Sequence, residues 1–427
     1  MQNQREIALL ALYDIEYGGT YSNLAIKNYL SPDMDRQGKA FITSLVYGVT
    51  RRKLTLDHII LKYSKIKLKK LSKYVRLILE MGVYQIYFMD KVPQSAAVNE
   101  SVKLAKKYAQ KSSGFVNGIL HSVIRNKENF EYPKDRKSFL SVYYSFTEEM
   151  INELLDIPDL EKLLESLNKE AKTSIRLNRL KCKELEIEGV ELQKTPLYEY
   201  ARFTTGFDVA ASKEYERGEF IAQDVAAMMA SEALLPKPCE TVMDVCAAPG
   251  GKTTHLAELM DNKGKIFAFD IHPHKVEIIK KNASRMGIDI VDALCLDATE
   301  FHEKYEGICD KVLADVPCSG IGIIRKKPDI KWNKEDILSL PDIQYKILEN
   351  ASRYLKVGGE LVYSTCTILK RENEDVLMRF LENNKNFEPV AIELPGTLAR
   401  ENKGYITFYP HIDEVDGFFI SKIKRVN

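Results

Sequence analysis

Two cysteines stand out by their neighbours. Cys318 lies in Asp315-Val316-Pro317-Cys318-Ser319-Gly320 and Cys366 in Ser364-Thr365-Cys366-Thr367, each at the end of a predicted strand. C5 of a pyrimidine is a poor nucleophile, but a thiolate adding at C6 turns the ring into an electron-rich enamine that accepts a methyl group. That chemistry needs a thiol of lowered pKa. It also needs an acidic group at the N3 edge of the base, and a group that removes the C5 proton before the thiol departs. Cys318, Cys366 and Asp315 supply that inventory. Cys182, Cys239, Cys295 and Cys309 read as small hydrophobes. No two of the seven cysteines have metal-site spacing, so no metal is expected.

A second constellation is Asp244-Val245-Cys246-Ala247-Ala248-Pro249-Gly250-Gly251-Lys252, a strand that breaks at glycines and runs into a helix. Backbone N–H groups and a helix N-terminus in this geometry hold an anionic group, and Gly250 and Gly251 let it approach closely. A nucleoside triphosphate loop would need glycine where Cys246 stands, and the dinucleotide pattern of three spaced glycines is absent. Asp270, Asp297 and Asp315 end successive strand candidates, where an open α/β sheet binds its ligand. Asp270 is placed for ribose hydroxyls and Asp297 for an adenine amino group. A strand-end aspartate also serves as a helix cap, but three in register after a glycine loop favour a nucleoside carrying a carboxylate. S-adenosylmethionine has both parts.

The elements that must position these residues follow from periodicity. From residue 214 onward, strand candidates 241–248, 265–271, 289–297, 310–317 and 359–365 alternate with helical stretches, implying a parallel sheet covered on both faces. Residues 417–424 form a last strand placed to add antiparallel at an edge. The first 126 residues read as helix after helix, including one long helix through 41–60 and a final one near Gly114 capped by Ser112 or Ser113. Residues 126–138 are the linker candidate. The expected domains are therefore 1–128 (all helical), 139–213 (a small α+β connector) and 214–427 (the parallel-sheet domain).

Composition narrows the class. Of 427 residues, 45% are hydrophobic and 29% charged, which excludes a disordered chain or a fibre. No apolar run approaches a membrane span, the start reads as an amphipathic helix rather than a signal peptide, and the cysteine usage suits a reduced, cytoplasmic compartment. The net charge of +1 conceals an asymmetry: residues 1–130 hold 21 basic and 10 acidic side chains, a net of +11, leaving 41 and 51, a net of −10, for the rest. A cationic helical module suggests a polyanion partner, nucleic acid above all. Seven of its basic residues fall within 62–76.

On these motifs the chain resembles the RNA cytosine-5 methyltransferase family, most of all its bacterial 16S ribosomal RNA members. The resemblance runs nearly end to end. It covers 246–252, Asp270, Asp297, 315–320, Arg325–Trp332, 363–367, Glu372-Asn373-Glu374 and Asp416-Gly417-Phe418-Phe419. It implies a Rossmann-like class I sheet in which Cys246 through Lys252, Asp270, Asp297 and Asp315 bind S-adenosylmethionine. It also implies Cys366 as nucleophile, Cys318 as the residue assisting release, and Asp315 as the group holding the base. The N-terminal module is similar to the helical RNA-binding domain of the NusB antitermination factor, most clearly at Phe115-Val116-Asn117-Gly118-Ile119-Leu120. Arg176 and Asn178 match an Arg-x-Asn pattern that precedes the catalytic domain in such enzymes; exposed strand polars are the plainer reading.

The expected partner is unassembled or partly assembled 16S ribosomal RNA, met by a monomer with no membrane or metal involved. Trp332 beside Arg325, Lys326, Lys327 and Lys331 is placed either to clamp RNA near the site or to anchor a core edge. Rival readings are the same reaction on transfer RNA, a non-catalytic RNA-binding assembly factor, and amino-group methylation, which needs no thiol.

Overall fold

The computed structural model describes residues 3–31, 33–206, 208–332 and 338–427. It divides into two compact units, Met1–Lys169 with Ile324–Asn333, and Glu170–Ile323 with Lys334–Asn427. Among the described residues no helix is long and apolar enough to cross a membrane.

The first unit is helical. Helix Gln4–Gly18 turns Ile7, Ala8, Leu9, Ala11 and Leu12 inward at the spacing of one helix face. Helix Lys73–Phe88 opens at Ser72, whose hydroxyl accepts from Val75 N, and is buried along most of its length. Helix Arg36–Arg51 crosses it closely at Gly48, where a Cβ would fall 2.0 Å from the Tyr84 ring. The single helix expected over 41–60 is two, Arg36–Arg51 and Lys53–Tyr63, broken at Arg52 (φ −106°, ψ 15°). The break is stabilised from outside: the freed N–H of Leu54 donates to Ser145 Oγ at 2.9 Å, and Thr55 Oγ1 to the Val142 carbonyl at 2.6 Å. Ser112 takes the N-cap position of helix Ser113–Arg125 without a side-chain cap bond.

Helices Arg136–Tyr144, Glu148–Leu154 and Leu160–Asn168 belong to this unit, whereas the expected connector 139–213 grouped them with the strands that follow. So does the segment Ile324–Trp332. Lys331 is 3% exposed and donates to the carbonyls of Arg51 (3.2 Å) and Ser145 (3.1 Å) and to Asn168 Oδ1 (2.7 Å). Trp332 Nε1 donates to the Thr50 carbonyl at 2.6 Å. This half of the basic-aromatic cluster is an anchor, its donors already spent on the helical unit. Lys65, Lys67, Lys69, Lys70 and Lys73, by contrast, are exposed.

The second unit begins with a small antiparallel sheet. Its strands β1 (Thr173–Leu177), β2 (Gln193–Lys194), β3 (Ala201–Thr204) and β4 (Phe220–Ala222) pair in the order β2-β3-β1-β4. The main sheet contains β5 (Thr241–Asp244), β6 (Lys265–Asp270), β7 (Val291–Cys295), β8 (Cys309–Asp315), β9 (Leu355–Thr365), β10 (Phe387–Pro389), β11 (Tyr405–Phe408) and β12 (Phe418–Arg425). Their order is β10-β12-β9-β8-β5-β6-β7, with β11 also on β12. Strands β7, β6, β5, β8 and β9 are parallel. β12 is antiparallel to β9 but lies inside the sheet, flanked by β10 and β11, not at the expected edge. The order reverses at β5, the switch point at whose carboxyl end an α/β sheet opens a crevice.

Candidate active site

β5 lies between β6 and β8, so the loop that leaves it emerges at the centre of the sheet. Ala247 N donates to the Phe269 carbonyl at 2.8 Å and Gly250 N to the Ala247 carbonyl at 2.7 Å, which folds the loop back before helix Gly251–Leu259. Gly250 has φ +98°, a left-handed conformation that glycine alone adopts without strain. The first-turn N–H groups of the helix thus face outward from the sheet edge. Cys246 contributes backbone; burial, with Asp244 next in weight, pushes its thiol well above the usual range.

Asp270 and Asp297 each fix a local turn through one carboxylate oxygen. Asp270 Oδ1 accepts from His272 N at 2.9 Å, and Asp297 Oδ1 accepts from both Thr299 N and Thr299 Oγ1 at 2.8 Å. Each uses one oxygen to fix its own turn. A glycine loop open to a close approach, a helix N-terminus and two turn-fixed acids at the sheet edge fit a ligand with one anionic end and one nucleoside end.

The two cysteines come together. β8 and β9 are parallel neighbours with Asp315 opposite Ser364, so the chain beyond both strands issues on the same edge. Cys318 Sγ lies 3.1 Å from Cys366 Sγ, and neither is in a disulfide. Gly322 N donates to the Cys366 carbonyl at 3.1 Å, and Gly417 N to the Gly322 carbonyl at 2.9 Å. A Cβ on Gly322 would sit 1.9 Å from the Gly417 carbonyl, which explains glycine there and ties the Asp416-Gly417-Phe418-Phe419 motif to the Thr-Cys loop. The Cys318 thiol is pushed well above the usual range, first by its hydrogen bond with Cys366, then by burial and the charges of Cys366 and Glu372.

Asp315 is held at both oxygens: Oδ2 by Lys252 Nζ at 2.6 Å and Oδ1 by Ser364 Oγ at 2.8 Å. Burial works against the Lys252 charge, but the Asp315 carboxylate and Cys366 outweigh it and raise the ammonium above its ordinary range. Lys252 was expected only as loop backbone; its side chain brings a cation to Asp315. Behind it, burial pushes Asp244 up to about 7, against a hydrogen bond from Thr253 Oγ1 at 2.7 Å.

Glu372 and Gln344 have no role that sequence reasoning could assign. Glu372 is fully buried; its Oε2 accepts from Ser319 N and from Gln344 Nε2, both at 2.9 Å. The Gln344 signal is a polar residue in the buried stripe Gln344, Ile347, Leu348, Ala351 of helix Leu340–Arg353. Asn373 clasps the other loop, accepting from Thr365 Oγ1 at 2.6 Å and donating to the Thr367 carbonyl at 3.1 Å.

Arg176 and Asn178 are 0% exposed, so the exposed-polar reading fails. From β1, Arg176 donates to Gly251 O (2.7 Å), Thr254 Oγ1 (3.0 Å), Glu258 Oε1 (2.6 Å) and Gln223 Oε1. Asn178 donates to the carbonyls of Gly218 (2.8 Å) and Met286 (2.9 Å). Arg176 thereby fastens the small sheet to the helix that follows the glycine loop, and Asn178 ties the chain after β1 to the end of helix Pro273–Met286.

A sheet that reverses at a glycine loop, with acids ending the neighbouring strands and β12 inserted antiparallel, defines a Rossmann-like methyltransferase domain. The solved structures agree. The crystal structure of PH0851 superposes with a TM-score of 0.81 at 30% identity, covering 98% of this chain and 97% of that one. A methyltransferase homolog from Pyrococcus horikoshii gives 0.58 at 29% identity over 67% of this chain and 97% of its own. The 16S rRNA methyltransferase RsmB/F family matches residues 231–424, and the NusB family residues 2–125. A probable ribosomal RNA small subunit methyltransferase B of Bacillus subtilis is 36% identical, covering 99% of this chain and 98% of its own length. A ribosomal RNA small subunit methyltransferase B of Pasteurella multocida is 30% identical over 93% and 91%. The chain belongs to the RsmB/F methyltransferase family and carries a NusB-like helical domain before its catalytic one.

Proposed function

We propose that the chain transfers a methyl group from S-adenosylmethionine to C5 of one cytosine in 16S ribosomal RNA, through a covalent bond between Cys366 and C6 of the base. The observation that carries this is the contact between two thiols, neither in a disulfide, 3.1 Å apart beside the Lys252–Asp315 ion pair. Amino-group methylation would leave that pair without a use.

The cofactor supplies an electrophilic methyl group on a sulfonium centre. The loop Cys246–Lys252, with Asp270, Asp297 and Asp315, would hold it, and Asp315 would also face the base. The target cytosine must leave its stack, since C6 is inaccessible within a helix. Cys366 Sγ then bonds to C6, the displaced electron pair reaches C5, and C5 takes the methyl group. Lys252 provides positive charge beside the attacking thiol, and Asp315, fixed by Lys252 and Ser364, holds the polar edge of the base. Loss of the C5 proton returns the electron pair to the ring, re-forms C5=C6 and expels Cys366 as thiolate. Cys318, in contact with Cys366, assists that expulsion. The exposed lysines of 65–73 supply phosphate contacts, which position RNA without reading its sequence. The expected substrate is unassembled or partly assembled small-subunit RNA, met in the cytoplasm by a monomer.

The test uses the purified chain, S-adenosylmethionine and unmodified 16S transcript, with 5-methylcytidine measured by nucleoside mass spectrometry. The expected product is 5-methylcytidine at one position, absent with Cys366→Ala. Methylation confined to transfer RNA, or product formation that survives Cys366→Ala, would overturn the reading.

A further inference from the structure

The chain on both sides of Cys318 is fastened to one buried pair. Gln344 Nε2 donates to the Pro317 carbonyl at 3.0 Å and to Glu372 Oε2 at 2.9 Å, and the same Oε2 accepts from Ser319 N at 2.9 Å. Glu372 is itself held from behind, Tyr363 Oη donating to its carbonyl at 2.6 Å. Gln344 and Glu372 are both 0% exposed, so neither can reach RNA or cofactor. Their remaining oxygens, Gln344 Oε1 and Glu372 Oε1, have no hydrogen-bond partner among the described residues. Burying a carboxylate with one oxygen unpaired costs stability. An apolar pair of similar volume would pack there more cheaply. What the pair does instead is fix the two peptide units that flank the Cys318 thiol.

We propose that Gln344 and Glu372 are positioning residues for release: together they hold the Pro317-Cys318-Ser319 turn so that the Cys318 thiol stays against Cys366 when the methylated base must leave. The proposal rests on the two-thiol reading above and extends it to residues that never touch the substrate. The attacking step draws on Cys366, Lys252 and Asp315, whose side-chain hydrogen bonds among the described residues run to Cys318, to each other and to Ser364 rather than to this pair. Loss of the pair therefore separates the two halves of the reaction. It leaves Cys366 able to attack and C5 able to take the methyl group, and impairs re-formation of C5=C6 with departure of Cys366. The Glu372 charge also contributes to keeping Cys318 protonated.

The experiment compares Glu372→Ala, Gln344→Ala and Glu372→Gln with Cys318→Ala, using unmodified 16S transcript and radiolabelled S-adenosylmethionine. Single-turnover methyl incorporation and multiple turnover are measured separately, and protein–RNA adduct is read on denaturing gels. Glu372→Ala and Gln344→Ala are expected to keep single-turnover incorporation. Their multiple turnover falls by about 10- to 100-fold, the effect of a displacement near 1 Å, and labelled adduct accumulates. Glu372→Gln keeps an oxygen for Ser319 N and Gln344 Nε2, and restores turnover. A merely structural role would lower both rates together and leave no adduct, and that result overturns the proposal. If Glu372→Ala fails to fold, Gln344→Ala decides by the same criterion. Adduct with Cys318→Ala but not with Glu372→Ala or Gln344→Ala sinks the positioning role alone. No adduct with Cys318→Ala removes the two-thiol reading and this proposal with it.

Discussion

Arg176 offers a sharp test of how the small sheet supports the cofactor loop. Its guanidinium and the Glu258 carboxylate are both 0% exposed and meet at 2.6 Å, and the same guanidinium holds Gly251 O and Thr254 Oγ1. Replacing Arg176 by Met strands Glu258 as an unpaired buried charge, which costs about 3–5 kcal/mol. Glu258→Leu strands the cation at similar cost. The double variant Arg176→Met/Glu258→Leu leaves no buried charge, and its residual loss comes from hydrogen bonds at about 1 kcal/mol each. It is therefore expected to be no less stable than either single variant, a non-additivity of at least about 3 kcal/mol. Urea unfolding followed by far-ultraviolet circular dichroism measures all four members of the cycle. Trp332, the only tryptophan, lies in the helical unit and separately reports that unit's transition. Single losses near 1 kcal/mol, or a double variant that costs the sum of the singles, would refute the reasoning.

Further expectations follow from the same geometry. Asp244 rises from 3.8 to about 7 on folding, which favours the protonated form in the folded chain by about 4 kcal/mol. Stability from this group is full below pH 3.8 and lost as pH rises through 7. Asp244→Asn is therefore expected to raise unfolding free energy at pH 8 relative to its effect at pH 5; an equal change at both values refutes the assignment. Replacing Lys67, Lys69 and Lys70 with Gln is expected to weaken RNA binding and to flatten log K against log salt by about 0.7–0.9 for each phosphate no longer neutralised. An unchanged slope would move the RNA surface elsewhere. Trp332 emission is expected to stay constant through an RNA titration, because its Nε1 is bonded to Thr50 and Lys53 sits over its ring at 5.5 Å; strong quenching would restore the stacking reading.

Where sequence reasoning succeeded, one local signal sufficed. The parallel strands were legible because short apolar runs alternate with periodic helices, and the placement of Cys318 and Cys366 at one sheet edge because each follows a strand candidate; their contact appears only with the pairing of β8 and β9. Lys252 was read as backbone because nothing in a glycine loop says where a lysine side chain turns; its partner Asp315 is 63 residues away. β10 and β11 were missed because three- and four-residue strands carry too little alternation. The break at Arg52 depends on Ser145, and the fate of Trp332 on Thr50, contacts between segments distant in the chain. Glu372 was visible as part of a motif, but its bond to Ser319 joins residues 53 apart in the chain, and its link to the Pro317 carbonyl needs Gln344 from helix Leu340–Arg353.

The most direct test of the central claim is to express Cys318→Ala, recover RNA covalently attached to it, and sequence across the cross-link. The two-thiol account predicts an adduct at one cytosine of 16S ribosomal RNA that disappears when Cys366→Ala is added. A folded, cofactor-binding variant that traps no RNA, or an adduct that persists without Cys366, would contradict it.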